Sequence, residues 1–457
     1  MNPSAPAHKA LLGIVLLFAV FAGAFISFFF AQGDTVGITI GIVFSLVGVL
    51  LAALKPEVGV YAMALVLPVI GLKFQIFGLY FDFIYFASLL AATAFYARQI
   101  FDYLSGRHSV PFKLPLLIPF VAFFASVVIS DIFNPYTAST LWYALRIIVF
   151  FYLVHVAFVY SVIRNQKVLR TSIALLAFSG VVVALSGTAS LFQQYLSNTF
   201  FRVRPASFFG LYPFGDNHNL IGEFLVMTNF FLLALRFWAK SVQTKRVINL
   251  LFVFLVIVNL STFSRATWIV TGIQLILYFW YKRTDRMTIA AIAIVALIAM
   301  LPVVSRMEAL QEQNFRSTEG RLLMTQISWE AFKEKPLIGY GTGSFVGIIG
   351  DSIRYRAQYG DPLDSHGVWQ KVMTENGLLG LLSFAVISYL IFSRLFRALH
   401  AYPKERELLL PLVIGALGVY LCQFFNTSYY IGKLWLPLAV ALAAVEIVKR
   451  MYEPEKD

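Results

Sequence analysis

Residues 247–281 read VINLLFVFLVIVNLSTFSRATWIVTGIQLILYFWY. Two apolar runs, near 247–263 and 266–281, are joined by almost no loop, and a single arginine, Arg265, marks the join. Uncharged runs of about 20 residues are long enough to cross the hydrocarbon of a bilayer as helices. The stretch therefore predicts a membrane hairpin with one guanidinium held at its turn.

The rest of the chain has the same character. Of its 457 residues 59% are hydrophobic, 16% aromatic and only 13% charged, with a mean hydropathy of +0.77. A soluble domain carries about 25% charged residues. Further apolar runs lie near 10–31, 35–54, 57–72, 82–100, 114–133, 141–163, 171–192, 219–238, 288–304, 376–396, 408–425 and 430–448. Together they predict an all-α polytopic membrane protein of about 12–14 transmembrane helices. The first run, Ala10 to Ala31, is longer than a signal-peptide core and reads as a retained span.

Short cytoplasmic loops concentrate Lys and Arg. With the N-terminus inside, the loops bearing Arg98, Arg107 and Lys113, then Arg164, Lys167 and Arg170, then Lys240, Lys245 and Arg246 all become cytoplasmic. So do Lys282, Arg283 and Arg286, the Arg394 to Glu407 turn and the tail from Lys449. The net charge of +13 thus records topology and a lipid-bilayer partner, and calls for no nucleic acid. The single cysteine, Cys422, excludes an intramolecular disulfide framework and a Cys-based metal site. Three parts are expected: an N-terminal bundle of 1–305 that includes an external loop at 197–218, a large external loop of 306–367, and C-terminal helices over 368–457.

Several arginines break the charge rule. Arg202, Arg204, Arg265 and those of the 306–366 loop fall on the non-cytoplasmic face, where an anionic ligand would explain them. Arg202 and Arg204 flank Val203 ahead of Pro205, so an extended backbone puts both on one face. Their guanidinium forks suit phosphate oxygens, although a solvated loop pair is the other reading. Arg265 is either functional or a headgroup anchor, and Arg146, inside its span, is either functional or bonded to backbone carbonyls.

In the large loop, Thr318 to Lys333 predicts a helix along the membrane interface, stopped before Pro336. Gly339, Gly341 and Gly343 then predict a flexible turn able to approach a ligand closely. His366 stands at the mouth of a helix expected to begin near Val368, and imidazole is the side chain best suited to accept a proton near neutral pH. His218 is the other external-loop histidine, and a plain surface role is open for both. Two histidines without a Cys or acidic cage predict no metal site. Glu223 and Glu375, near the same membrane face, either orient a base, partner the arginines or solvate helix ends.

Three of these segments resemble the O-antigen ligase and O-antigen polymerase superfamily of bacterial envelope glycosyltransferases. Ser264-Arg265-Ala266-Thr267 resembles its Ser-Arg-small motif at the start of a span. Gly320-Arg321-Leu322, Trp329-Glu330-Ala331-Phe332 and Lys335-Pro336-Leu337-Ile338-Gly339-Tyr340-Gly341 resemble its large external loop. His366, ahead of Gly377-Leu378-Leu379-Gly380, is similar to the ligase signature, with Gly367 where that signature usually has Asn, Ser or Gln. Arg204 and Gly215 are similar in spacing to a polymerase loop.

The resemblance implies a C-type glycosyltransferase-like bundle in the bacterial inner membrane, with cytoplasmic termini and a periplasmic active site. Its enzymes use no metal or other cofactor and invert the anomeric centre. The donor would be an undecaprenyl-diphosphate-linked glycan moved en bloc to an acceptor hydroxyl. That acceptor is lipid A core in a ligase, a second lipid-linked glycan in a polymerase, or a protein hydroxyl in a protein O-oligosaccharyltransferase. Arg265, with Arg202 or Arg204, would bind the diphosphate, Arg321 would assist, and His366 would act on the acceptor. No Gly-Lys-Ser or Gly-Lys-Thr phosphate loop is present for ATP. A lipid-linked oligosaccharide flippase is the rival from another class, but it should spread charge along a central cavity in both halves. The His366 to Gly380 spacing puts ligase ahead of polymerase.

Overall fold

The computed structural model describes residues 55–453 apart from 72, 77–78, 107–112, 135–137, 197–201, 209–210, 283–310 and 427–431. The expected spans near 10–31, 35–54 and 288–304 lie outside the described residues. In chain order the elements are α1 (Pro56–Val66), β1 (Lys73–Ile76), β2 (Leu79–Asp82), α2 (Phe83–Leu104), α3 (Leu117–Ile132) and α4 (Ala138–Leu145). α4 runs on as a π-helix (Arg146–Phe158) and a last α-turn (Val159–Val162). Then come α5 (Gln166–Leu196), α6 (His218–Ala234), α7 (Val242–Leu260), α8 (Arg265–Lys282), α9 (Gln311–Glu334), α10 (Phe345–Asp351) and α11 (Ile353–Tyr359). The chain closes with α12 (Val368–Ala401), α13 (Arg406–Cys422) and α14 (Gly432–Tyr452).

The molecule is an all-α polytopic membrane protein. Among the described residues the only sheet is the β1–β2 antiparallel hairpin, with Lys73 opposite Asp82 and Ile76 opposite Leu79. Among the described residues five helices are long and apolar enough to span a bilayer: Tyr143–Val162, Gln166–Leu196, His218–Trp238, Val242–Leu260 and Val368–Ala401. The α6 span is central, with 78% of its apolar window buried, whereas the α7 span, at 22%, turns most of its surface outward. Small residues let α6 approach its neighbours. A Cβ on Gly180 of α5 would come within 2.4 Å of Thr228, and one on Gly222 of α6 within 2.8 Å of Thr267 in α8. On the other side of the bundle Trp435 of α14 stacks on Phe151 and meets Phe120 and Phe384 edge-on.

The large loop is ordered and helical. Its described helix, Gln311–Glu334, contains the expected Thr318–Lys333 stretch and stops ahead of Pro336 as expected. Met324 packs with Phe345, Ile349 and Tyr355 into a small core separate from the main bundle, while Leu322 and Trp329 face outward.

The glycine turn behaves differently from the expectation of a ligand-approaching loop. α12 breaks at Gly377 (φ 61°, ψ −156°), which exposes backbone groups on both sides of the break. The turn after α9 takes them up: Leu378 N–H donates to the Pro336 carbonyl (2.8 Å), and Tyr340 and Gly341 N–H donate to the Thr374 and Glu375 carbonyls (3.1 and 2.9 Å). A Cβ on Gly339 would lie 2.5 Å from the Glu375 carbonyl carbon, and one on Gly377 2.5 Å from that of Leu337. These glycines serve backbone against backbone, not backbone against ligand. The α3 end completes the lock, with Asn134 donating to the Gly339 carbonyl (3.2 Å) and accepting from Lys335 Nζ (2.6 Å).

Candidate functional site

The Arg202–Ala206 segment is pinned between α5 and the end of α7. Gln194 accepts from Arg202 N–H (3.1 Å) and donates to the Arg202 carbonyl (2.6 Å), and Ser190 Oγ accepts from Arg204 N–H (3.1 Å). Val203 N–H donates to the Ser261 carbonyl (2.9 Å), and the Val203 side chain is turned inward at 1% exposure. Extended geometry then leaves Arg202 and Arg204 on the opposite side, with Arg204 exposed.

Arg265 opens α8 directly after a sharp turn in which Phe263 adopts φ 57°. Trp268 Nε1 donates to the Leu260 carbonyl (2.8 Å) and closes the α7–α8 hairpin. From there the Arg265 guanidinium reaches across to Thr318 Oγ1 on α9, at 3.3 and 3.2 Å. Arg321 follows Thr318 by three residues, so the two share a helix face. Burial first, and then the Arg265 charge, lower the Arg321 pKa, yet a guanidinium stays protonated. Burial and the neighbouring Arg204 act on Arg202 in the same way.

His218 begins α6 behind the Asn217 cap and lies in the fields of Arg202 and Arg321. His366 sits in a cavity of about 230 Å³ together with Arg321, Trp369, Gln370 and Phe424. Burial, and then the Arg321 cation, push its pKa down to about 4, while Asp364 works in the opposite sense. The imidazole is therefore neutral at pH 7 and able to accept a proton. The structure thus brings Arg202, Arg204, Arg265, Arg321, His218 and His366 into one connected field. Among the described residues none of these four arginines pairs with a carboxylate.

The remaining candidates are committed elsewhere. Glu223 is buried in α6, with Lys433 Nζ 3.3 Å from one oxygen and Gln423 Nε2 3.0 Å from the other, so it serves a buried ion pair and not the solvation of a helix end. Arg146 holds its guanidinium over the rings of Tyr85 and Tyr143, 5.1 and 5.6 Å from their centroids. Glu375 is buried 3.5 Å from Lys371 Nζ and accepts from Phe345 N–H (3.3 Å).

Glu375 still reaches the site indirectly. Lys371 also binds Asp364 (2.5 Å), Asp364 accepts from Ser365 N–H (2.8 Å), and Ser365 Oγ accepts from Gly367 N–H (3.0 Å). The turn carrying His366 is thereby tied to the first turn of α12. Sequence reading passed over Asp364, Lys371, Trp369 and Gln370. The available signal was Lys371 itself, a lysine at the entrance of an apolar span, where charge demands a partner. Among the described residues no group of three or more His, Cys, Asp or Glu is placed to hold a metal ion.

Fold and site together define a helical membrane protein that presents a cationic cluster, without a carboxylate partner among the described residues, beside a neutral histidine. Residues 250–385, about 30% of the chain, match the model of a family described as O-antigen ligase. The matched span contains Arg265, Arg321 and His366, and leaves out Arg202, Arg204 and His218. No curated protein matches the chain.

Proposed function

We propose that the protein is a membrane glycosyltransferase of the O-antigen ligase type. It moves an undecaprenyl-diphosphate-linked glycan en bloc onto an acceptor hydroxyl of lipid A core, at the periplasmic face of the bacterial inner membrane. The observation that carries this reading is the junction of the unpaired arginines with His366, through the cavity that Arg321 and His366 share. In it, the 1–305 bundle supplies Arg202, Arg204 and Arg265, the 306–367 loop supplies Arg321 and His366, and the 368–457 helices close the cavity beside them.

The chemistry follows from charge. As the glycosidic bond to the diphosphate breaks, negative charge grows on phosphate oxygens. Preorganised guanidinium groups, two of them partly desolvated here, stabilise that charge more than water does. The diphosphate leaves with the bonding electrons while the acceptor oxygen bonds to the anomeric carbon from the opposite side, inverting it. His366 takes the acceptor proton, a step worth roughly 10²- to 10⁴-fold.

A polymerase reading of the same chemistry is favoured by one observation. Gly367 stands where the ligase signature carries a larger polar residue, and a Cβ there would lie 3.2 Å from the Phe424 carbonyl oxygen. The test is transfer in reconstituted membranes supplied with lipid-diphosphate-linked oligosaccharide and lipid A core. Capped core is the expected product. A lengthened lipid-linked chain would make the protein a polymerase, and leaflet exchange without transfer, unaffected by His366→Ala, would make it a flippase.

A further inference from the structure

The cavity beside His366 mixes two kinds of lining: polar side chains, Arg321, Thr325, His366 and Gln370, and aromatic ones, Trp369, Phe424 and Phe425. The rings of Trp369 and Phe424 lie 6.0 Å apart at 38°, forming a shallow aromatic corner. Two donors at this place, Trp369 Nε1 and Arg321 Nε, are buried without a hydrogen-bond partner among the described residues. Buried donors left unsatisfied are costly, so a ligand that supplies acceptors is favoured there.

The geometry points to a pyranose subsite: one sugar ring seated with its C–H face on Trp369 and Phe424 and its hydroxyl edge toward Arg321, Gln370 and His366. The apolar, electropositive face of a pyranose suits the electron-rich face of an indole, and its ring of hydroxyls supplies the acceptors that Trp369 Nε1 and Arg321 Nε lack. The size agrees. About 230 Å³ is below the roughly 300–1,000 Å³ of pockets for drug-sized ligands, which leaves room for a single sugar residue but not for a long prenyl chain. This inference rests on the transferase reading and adds to it where a sugar is gripped. The sugar is either the first residue of the donor or the terminal residue of the acceptor.

The test compares binding of two probes to the full-length protein in nanodiscs: undecaprenyl diphosphate, and undecaprenyl diphosphate carrying an oligosaccharide. If the subsite holds the donor sugar, the glycan-bearing probe binds about tenfold tighter to the native chain. Trp369→Leu then removes that difference while leaving affinity for the bare lipid diphosphate unchanged, which also shows that the variant is folded. Trp369→Phe, which keeps the flat face but loses the N–H, retains part of the difference. If the difference survives in Trp369→Leu while KM for the acceptor glycan rises severalfold, the subsite belongs to the acceptor. Unchanged glycan preference together with unchanged acceptor KM would overturn the subsite. Preference that follows prenyl length and ignores the sugar would assign the cavity to lipid and overturn it as well. Failure of the native chain to bind either probe would sink the transferase reading itself, a distinct outcome.

Discussion

Two charged regions meet at Asp364, and their charges are arranged in opposite ways. On one side Lys371, at 1% side-chain exposure, lies between Asp364 and Glu375, and deeper in the bundle Lys433 answers Glu223 with both side chains nearly inaccessible. On the other side Arg202, Arg204, Arg265 and Arg321 are half-buried or exposed, and burial and a neighbouring cation act together on Arg202 and on Arg321. A buried pair is complete within the protein, and removing one partner leaves a costly orphan. A group of like charges without carboxylates is incomplete, and an anion completes it. The first region holds the fold, and in the proposed function the second binds the donor diphosphate.

The comparison is tested most severely at His366, which belongs to the second region through Arg321. His366→Ala should lower transfer about 10²- to 10⁴-fold while leaving the thermal unfolding midpoint in detergent unchanged. A midpoint that falls together with activity would move His366 to the structural side.

Next in size is the buried pair. Glu223→Ala should cost about 3–5 kcal/mol of stability, because Lys433 is left charged and unpaired; thermal unfolding of the purified protein measures it. Arg265→Ala should leave the midpoint unchanged or raise it, since it relieves repulsion with Arg321. Opposite signs for these two variants would sharpen the division, and a shared loss of stability would break it. In activity, Arg265→Lys should lose about 10- to 100-fold, nearly as much as Ala, since an ammonium cannot reproduce a bidentate guanidinium on phosphate. Transfer rates at saturating and limiting donor check this.

Hydropathy made the helical class legible in the sequence, because burial in lipid imposes a long, local pattern on consecutive residues, and charge alternation singled out the arginines that the fold gathers. Arg202 and Arg204 could be placed on one face because Pro205 constrains the backbone ahead of it. What stayed hidden was long-range pairing. Glu223 finds Lys433, and Lys371 finds Asp364, only when separate helices pack, so a carboxylate near the membrane face could not be assigned to base, ligand or strut. Gly339 was ambiguous for the same reason. A glycine required by a positive φ and a close approach looks identical whether the approaching group is a ligand or, as here, the broken backbone of α12, while Gly343 meets the Tyr143 ring.

The smallest effect is a pH shift, and its sign comes from the same division. A base must be neutral to accept a proton, so transfer should fall on the acid side as His366 becomes protonated, near its lowered value of about 4 and not near the ordinary 6.5. The acid limb of kcat/KM reports that value for the free enzyme. Arg321→Gln removes a cation that disfavours the imidazolium, so the limb should move up from about 4 toward 6.5, stopping short because burial is the larger cause. Asp364→Asn removes a carboxylate that favours the imidazolium, so the limb should move down. At pH 7 neither variant changes the protonation of His366, so any loss there measures phosphate binding for Arg321 and the grip on the His366 turn for Asp364. Limbs that move in opposite directions would locate His366 between the two regions, sensing both charges. A native limb at 6.5 would put the imidazole in open water and remove Arg321 from its surroundings.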